Sequence, residues 1–390
     1  MKKRWDVIII GAGPAGSISA CKLSEAGLNV LIFDKKAFPR EKVCGDGLLS
    51  DSIECLKRCG VYDEVEKNAN YIDETFFYSP FGTKVVIPGD YFTIKREIFD
   101  NILLRHSLRK GINFLPKKIN RVEEGNGCFV CHSAEGESFI SNFGIIATGT
   151  DINLLKPNVS DKINFRPDAV GVRKYIQSKH ITEKMFVSYE RSIIPGYAWI
   201  FPLGSGLYNT GCCAFYGKGG VKNLKKVHNK FLREFPEAEK IVAAKTGETK
   251  LKGAVLRCGL KTGHFLNSKS SRYICIGETI GTTYPFTGEG IGKAMESGEF
   301  AAEYILERIR SDLPLVPAEY YKLLHSRVSD KHFGYKIAQQ WLSNKFLNDF
   351  LAKRANRSSF LYEAAKGIIN ETADPREIFS IKGILKSCLK

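Results

Sequence analysis

Short apolar runs bounded by glycine and polar residues recur along the chain, and the first of them carries the most information. Val7-Ile8-Ile9-Ile10 is a continuous apolar run of strand length. Gly11-Ala12-Gly13-Pro14-Ala15-Gly16 follows it as G-x-G-x-x-G, and Ser17 to Ala26 reads as a helix. A second apolar run, Val30-Leu31-Ile32-Phe33, ends at Asp34, the interval expected of a dinucleotide-binding strand, turn, helix and strand. Beyond it, apolar strands alternate with helices without internal repeats, which predicts an α/β fold with a Rossmann-like nucleotide-binding domain. Period-two patterning rich in aromatic and β-branched residues, from Thr75 to Pro88 and from Ala169 to Phe215, predicts an inserted, mostly antiparallel β domain. The expected domains are therefore 1–75, 93–165 and 265–310 for nucleotide binding, 76–92 and 166–264 for the inserted substrate sheet, and 311–390 for a C-terminal helical region. In that last region Glu319 to Arg354 reads as helical, with interleaved aromatic and basic residues.

Each part of the N-terminal unit has a physical task. Gly11 permits the tight turn, Gly13 lets a pyrophosphate approach the backbone, and Gly16 starts a small-residue stripe with Ala20 and Ser24 for close helix packing. The unpaired N–H groups and positive dipole end of the helix favour an anion there. The Asp34 carboxylate is placed to accept hydrogen bonds from a ribose diol, and its charge repels a 2′-phosphate, so NADP is not the ligand expected in this unit.

Composition narrows the class without naming it. The 390 residues are 43% hydrophobic and 26% charged, ordinary globular values, and no apolar run is long enough to span a bilayer. A formal net charge of +16 fits an acidic electron-transfer partner or an anionic membrane surface, and a solvated basic face equally. No zinc finger or RNA-recognition signature accompanies that charge, so nucleic acid is not an expected partner. Eleven cysteines at scattered spacings argue for a reducing compartment. Cys128 and Cys131 form a C-x-x-C with no second pair, and Cys55 and Cys59 fit helix packing, so no metal site is expected. Ile18-Ser19-Ala20-Cys21 imitates a lipoprotein cleavage site, but Asp6 and the interrupting glycines oppose an export signal. The expected place is the cytoplasm, with peripheral contact at the inner face of the membrane through Lys331 to Arg354 and through Lys382, Lys386 and Lys390.

Two later segments make the likeness specific. Asn142 to Ile146 leads into Ala147-Thr148-Gly149, and Tyr273-Ile274-Cys275-Ile276-Gly277-Glu278 precedes Tyr284-Pro285-Phe286-Thr287-Gly288-Glu289-Gly290-Ile291 and a helix. This order resembles the FAD-binding fold of glutathione-reductase-like flavoproteins, and more closely the geranylgeranyl reductase family within the para-hydroxybenzoate-hydroxylase-like group. The likeness covers roughly Asp6 to Arg310. Pro39-Arg40-Glu41-Lys42-Val43-Cys44-Gly45-Asp46-Gly47 is similar to the family's cysteine-glycine segment beside the flavin, and Thr93 to Asp100 to its arginine-bearing contact. The resemblance implies that FAD is held by Gly11, Gly13, Pro14, Ala15, Gly16, Asp34, Lys35, Arg40, Cys44, Gly45, Arg96, Ala147, Gly149, Glu278, Gly288, Gly290 and Ile291. Glu278 stands where the family carries aspartate, and its longer side chain must still reach a ribitol hydroxyl. Gly288 and Gly290 open a helix whose N–H groups suit the flavin edge that gains negative charge on reduction. Gly290, Ala294 and Gly298 recur every four residues as a smooth packing face.

Gly196-Tyr197-Ala198-Trp199-Ile200-Phe201-Pro202 resembles the family's substrate motif. On a strand Tyr197, Trp199 and Phe201 share one face, an aromatic wall for an apolar chain. Leu203 replaces the family's lysine, which points to a different or less anionic substrate. What the resemblance implies is an FAD-dependent reductase that saturates carbon–carbon double bonds of a prenyl or other hydrophobic substrate, with Cys44 as the candidate catalytic residue. Gly217-Lys218-Gly219-Gly220 lacks the strand and helix of a second dinucleotide unit. The electron donor is then NAD(P)H bound transiently, or a reduced electron carrier. A flavin monooxygenase, as hydroxylase before halogenase, shares the FAD motifs, and a non-catalytic flavin- or lipid-binding protein is the reading from another class.

Overall fold

A computed structural model of the chain describes residues 3–125, 127–158, 166–216, 223–265, 271–380 and 383. The first apolar run lies in the strand Arg4–Ile10, at the centre of a seven-stranded sheet. It pairs in parallel with Val30–Phe33 on one side and with Ser138–Ile146 on the other, and Asn113–Leu115 extends the sheet beyond Val30–Phe33. Val7 to Ile9 and Leu31 to Phe33 are buried on both faces, which is why these strands read as unbroken apolar runs. Ser138–Ile146 divides its partners. Its C-terminal half pairs in parallel with Tyr273–Cys275, and its N-terminal half pairs antiparallel with Cys128–Ser133, which pairs in turn with Ile119–Gly125.

Two helices, Pro14–Glu25 and Ile291–Arg310, pack against each other beside this sheet. Their contact depends on missing side chains. A Cβ on Gly298 would lie 2.3 Å from the Ala15 carbonyl oxygen of the other helix, while one on Gly16 would lie 1.9 Å from the Gly11 carbonyl oxygen in the turn before its own helix. Close backbone approach is thus seen at Gly16 and Gly298 of the two expected small-residue stripes, whereas Gly290 abuts the Thr283 side chain; the Ser297 hydroxyl accepts the Gly277 N–H at 2.9 Å.

The second sheet has nine strands, running in space Lys245–Glu248, Ala169–Ser178, Leu207–Phe215, Gly196–Pro202, Met185–Ser188, Asn70–Tyr78, Lys84–Thr93 and Gly47–Leu48, with Lys252–Leu256 on the outer edge of Ala169–Ser178. Only Met185–Ser188 and Asn70–Tyr78 run parallel among its described pairings. The sheet enters the chain earlier than residue 76. Gly47–Leu48 and the whole of Asn70–Tyr78 belong to it, and a register shift between Ile72 and Glu74 breaks the alternation by which that strand would be recognised.

The helical stretch expected over 319–354 is two helices, Pro317–Leu342 and Lys345–Ala355, followed by Ser359–Ile369. Asn344 divides them by accepting the N–H groups of Phe346 and Leu347. Tyr335, Leu351, Leu361 and Ile368 from these helices form one apolar cluster with Val85, Ile87, Tyr284 and Phe286, so the tail covers the substrate sheet and the turn after Tyr284. Among the described residues no helix is long and apolar enough to cross a membrane. Gly217 to Gly220, Lys382, Lys386 and Lys390 lie outside the described residues.

Candidate functional site

A cavity of about 600 Å³ runs between the two sheets, from Asp34 at one end to Gly290 at the other. At the Asp34 end its wall is backbone. Gly11 has φ +112°, and a Cβ there would meet the Ala147 carbonyl oxygen at 2.2 Å, so only glycine lets the turn and the Ala147-Thr148-Gly149 segment meet. Gly13 differs: its added Cβ would meet only Arg40 Nη2, at 3.7 Å, and the space beyond it is cavity. Gly13 caps the helix Pro14–Glu25 without any side-chain hydrogen bond, which leaves the first-turn donors open to an anion.

Asp34 lines this end with its carboxylate already ordered. It accepts the Ala12 N–H at 3.2 Å, the Lys36 N–H at 3.0 Å and Arg40 Nε at 3.3 Å. Arg40 also reaches Asp100 at 3.1 Å, and Arg96 makes a bidentate pair with the same carboxylate, at 2.7 and 2.9 Å. Arg96 is 7% exposed and Asp100 0%, so this is a buried triad and not a surface charge on a helix. Burial works against the Arg96 charge, but the paired Asp100 carboxylate outweighs it and the guanidinium stays firmly protonated. A cationic pair fixed by one acid beside a helix N-terminus suits a pyrophosphate.

At the opposite end the turn Thr287-Gly288-Glu289-Gly290 opens the helix Ile291–Arg310, again without a side-chain cap. Burial raises the Glu289 carboxyl well above the usual range, reinforced by Asp51 and Glu371 nearby. Glu278 lines the cavity and accepts the Arg257 N–H at 3.2 Å; its Oε2 would lie 3.8 Å from a Cβ on Gly149.

The third wall is the substrate sheet. The Tyr197 and Trp199 rings are 5.9 Å apart and the Trp199 and Phe201 rings 6.1 Å, so the three form the continuous aromatic face that period two predicts. Trp199 lies over Gly211, where a Cβ would come within 2.2 Å of the indole. The Tyr197 hydroxyl donates to the Thr287 carbonyl, and the Phe201 ring closes on Gly45, whose added Cβ would sit 3.3 Å from it. The cysteine-glycine segment and the aromatic wall are therefore in contact.

Every residue expected from sequence to hold cofactor or substrate lines this cavity except Gly16, which lies behind it and serves the packing of its helix against the Gly11 turn. Cys128 and Cys131 sit on opposite faces of a strand, with Cys131 in the core and Cys128 donating to the Gly125 carbonyl at 2.8 Å. Sequence reasoning missed Tyr175, Asn209 and Arg173, which face the cavity segment from neighbouring strands. Tyr175 Oη and Asn209 Nδ2 donate to Asp46 Oδ2 at 2.7 and 2.8 Å, and Arg173 pairs with Glu41 at 2.7 Å. Only the strand register could have revealed them: Arg173 pairs with Gly211 and Tyr175 with Asn209. Asp100 was within reach, being four residues from Arg96 in one helix.

Comparison with known proteins bears on what this cavity holds. The FAD binding domain family matches residues 4–121. Digeranylgeranylglycerophospholipid reductase 2 of Methanopyrus kandleri is 28% identical over 366 residues, covering 89% of this chain and 88% of that one. Menaquinone reductase of Mycolicibacterium smegmatis is 28% identical over 326 residues, covering 78% and 76% respectively. Among solved structures, a geranylgeranyl bacteriochlorophyll reductase-like protein from Thermoplasma acidophilum superposes with a TM-score of 0.77 at 20% identity, over 100% of this chain and 97% of that one. The residues present fit the dinucleotide: the glycine turn has open space at Gly13, both cavity ends have uncapped helix N-termini, and Arg40 and Arg96 lie between.

Proposed function

We propose that the chain belongs with the geranylgeranyl-reductase-like flavoproteins as an FAD-dependent oxidoreductase acting on a prenyl or related lipid substrate, and that it saturates carbon–carbon double bonds in the apolar chain. The observation that carries the reading is the aromatic face of Tyr197, Trp199 and Phe201 standing against Cys44 and Gly45 across one cavity. FAD, when bound, supplies the hydride.

The protein's own residues do the rest. Gly11, Gly13, Pro14 and Ala15 with the following helix hold the phosphates, Asp34 the ribose, and Arg40 and Arg96 the charge between them. Lys35, Ala147, Gly149 and Glu278 border the dinucleotide, and Gly288, Gly290 and Ile291 present backbone donors at the far end. Tyr197, Trp199 and Phe201 hold the chain and exclude water, and Cys44 faces it as the candidate proton-bearing group. The related reductases named above act, by their names, on a digeranylgeranyl lipid and on menaquinone, which supports a long apolar substrate.

The electron donor in this reading is NAD(P)H or a reduced acidic carrier. Lys36, Lys42 and Lys118 at the cavity rim support an anionic donor. We place the protein in the cytoplasm and on the inner face of the membrane. Exposed Phe346 (66%) and Phe81 stack at 5.5 Å, with Lys345 and Arg191 over their rings, as suits an anionic lipid surface.

The deciding experiment reduces the flavin-loaded protein without oxygen, adds polyprenyl lipids and weighs the products. Gain of hydrogen pairs supports the proposal. Oxygen incorporation in air, or a halide-dependent product, with no hydrogenation of any lipid would replace it with a monooxygenase or halogenase. Bound FAD that no donor reduces would mark a binding protein.

A further inference from the structure

Asp46 is the one residue between Gly45 and Gly47, and it has φ +67°, a left-handed conformation that aspartate adopts more readily than most L-residues and that local hydrogen bonds hold. Its surroundings are donors. Tyr175 Oη and Asn209 Nδ2 reach one carboxylate oxygen, at 2.7 and 2.8 Å, and the Arg96 N–H reaches the other at 3.3 Å. Asp46 is 0% exposed, so nothing but these groups and nearby charge supports its own.

Asn209 is the hub of the arrangement. Its Nδ2 donates both to Asp46 and to the Cys44 carbonyl, each at 2.8 Å, while its Oδ1 accepts Trp199 Nε1 at 3.0 Å. One amide therefore ties the backbone of Cys44 to the indole of the aromatic wall, although Cys44 lies 165 residues before Asn209 in the chain. We propose that Asn209 and Asp46 are positioning residues, which fix the separation of Cys44 from the Trp199 face on which the substrate chain rests. A carboxylate at Asp46 can only accept, which matches three donors; once protonated it must turn an O–H toward one of them and give up a bond.

The groups facing Asp46 are Tyr175 and Arg173 from the strand Ala169–Ser178, Asn209 from Leu207–Phe215, Arg96 at the head of its helix, and Cys44 two residues back. Arg173 leans over the Tyr175 ring at 4.1 Å and is paired to Glu41, and Arg96 to Asp100. Burial lifts the Asp46 carboxyl to about 6, against the pull of Tyr175, Asn209, Arg173 and Arg96. The clamp then loosens in mildly acidic solution.

The inference rests on the proposed reductase reading only for its kinetic arm. In flavin-free protein carrying Trp5→Phe and Trp341→Phe, Trp199 is the sole tryptophan; its emission, excited selectively over the tyrosines, should titrate with a midpoint near 6. Asp46→Asn should abolish that titration, and asparagine tolerates the positive φ. In flavin-loaded protein, Asn209→Leu should keep FAD and KM while lowering kcat by about 100-fold, the scale of a small misplacement. Asp46→Asn should lower kcat less and flatten the acidic limb of the pH profile. Emission that does not titrate, or titrates equally in Asp46→Asn, overturns the proposal, as does unchanged kcat in both variants. Should Asn209→Leu fail to fold, Asp46→Asn decides alone. A wild-type protein that reduces no lipid sinks the functional reading, while the emission arm still judges the clamp.

Discussion

The two ends of the cavity are built by opposite means. Around Asp34 the wall is backbone: Gly11 at φ +112°, an open Gly13 and an uncapped helix, with charge supplied by a buried arginine pair on Asp100. Around Trp199 the wall is side chain, three aromatic rings on one strand held by an amide from the next. A backbone wall recognises what all dinucleotides share, phosphate and sugar. A side-chain wall can be changed residue by residue, and that is where relatives of this fold can differ in substrate.

Substitutions can break this contrast at either end. Trp199→Ala is expected to have the largest effect, a loss of about 3–5 kcal/mol in unfolding free energy and most of the turnover, with FAD retained. Denaturant unfolding and the flavin absorbance after gel filtration measure the two; intact turnover would return the rings to a purely packing role. Gly13→Val comes next. Its Cβ has room, so the thermal transition should hardly move, while FAD affinity falls by about 100-fold or more, about 2.8 kcal/mol. A variant that stays fully yellow would mean the phosphates lie elsewhere.

Asp46→Asn is the smallest. The Asp46 carboxyl is raised from 3.8 to about 6, so its neutral form contributes stability that is complete below the unfolded value and lost as pH rises through about 6. The asparagine variant should therefore be more stable by about 1 kcal/mol above that window, after the lost hydrogen bond is counted, and no different well below pH 4. Tm against pH reads this directly, and a gain confined to acid would reverse the assignment.

The same contrast explains what the sequence revealed. The Gly11 to Asp34 unit is local, its spacing set by one turn, one helix and one strand, so residue order alone places it. Period two placed Tyr197, Trp199 and Phe201 on one face for the same reason. Asn209, Tyr175 and Arg173 were hidden because their neighbours are decided by pairing between distant strands, and no local pattern encodes the register of Ala169–Ser178 against Leu207–Phe215. Gly47–Leu48 was hidden by its shortness, and the start of Asn70–Tyr78 by the irregularity at Ile72. Gly16 was read as both packing and cofactor contact; the structure places it behind the cavity wall.

The hydroxyl of Tyr197 on the Thr287 carbonyl, together with strands drawn from both before and after residue 100, has an architectural corollary. The aromatic sheet is not a detachable cassette. Transplanting it from a cousin with another substrate would carry over the rings but sever this bond and the Asn209 link, so exchange of specificity by domain grafting should yield poorly seated chimeras, whereas single-site tuning within the wall should succeed.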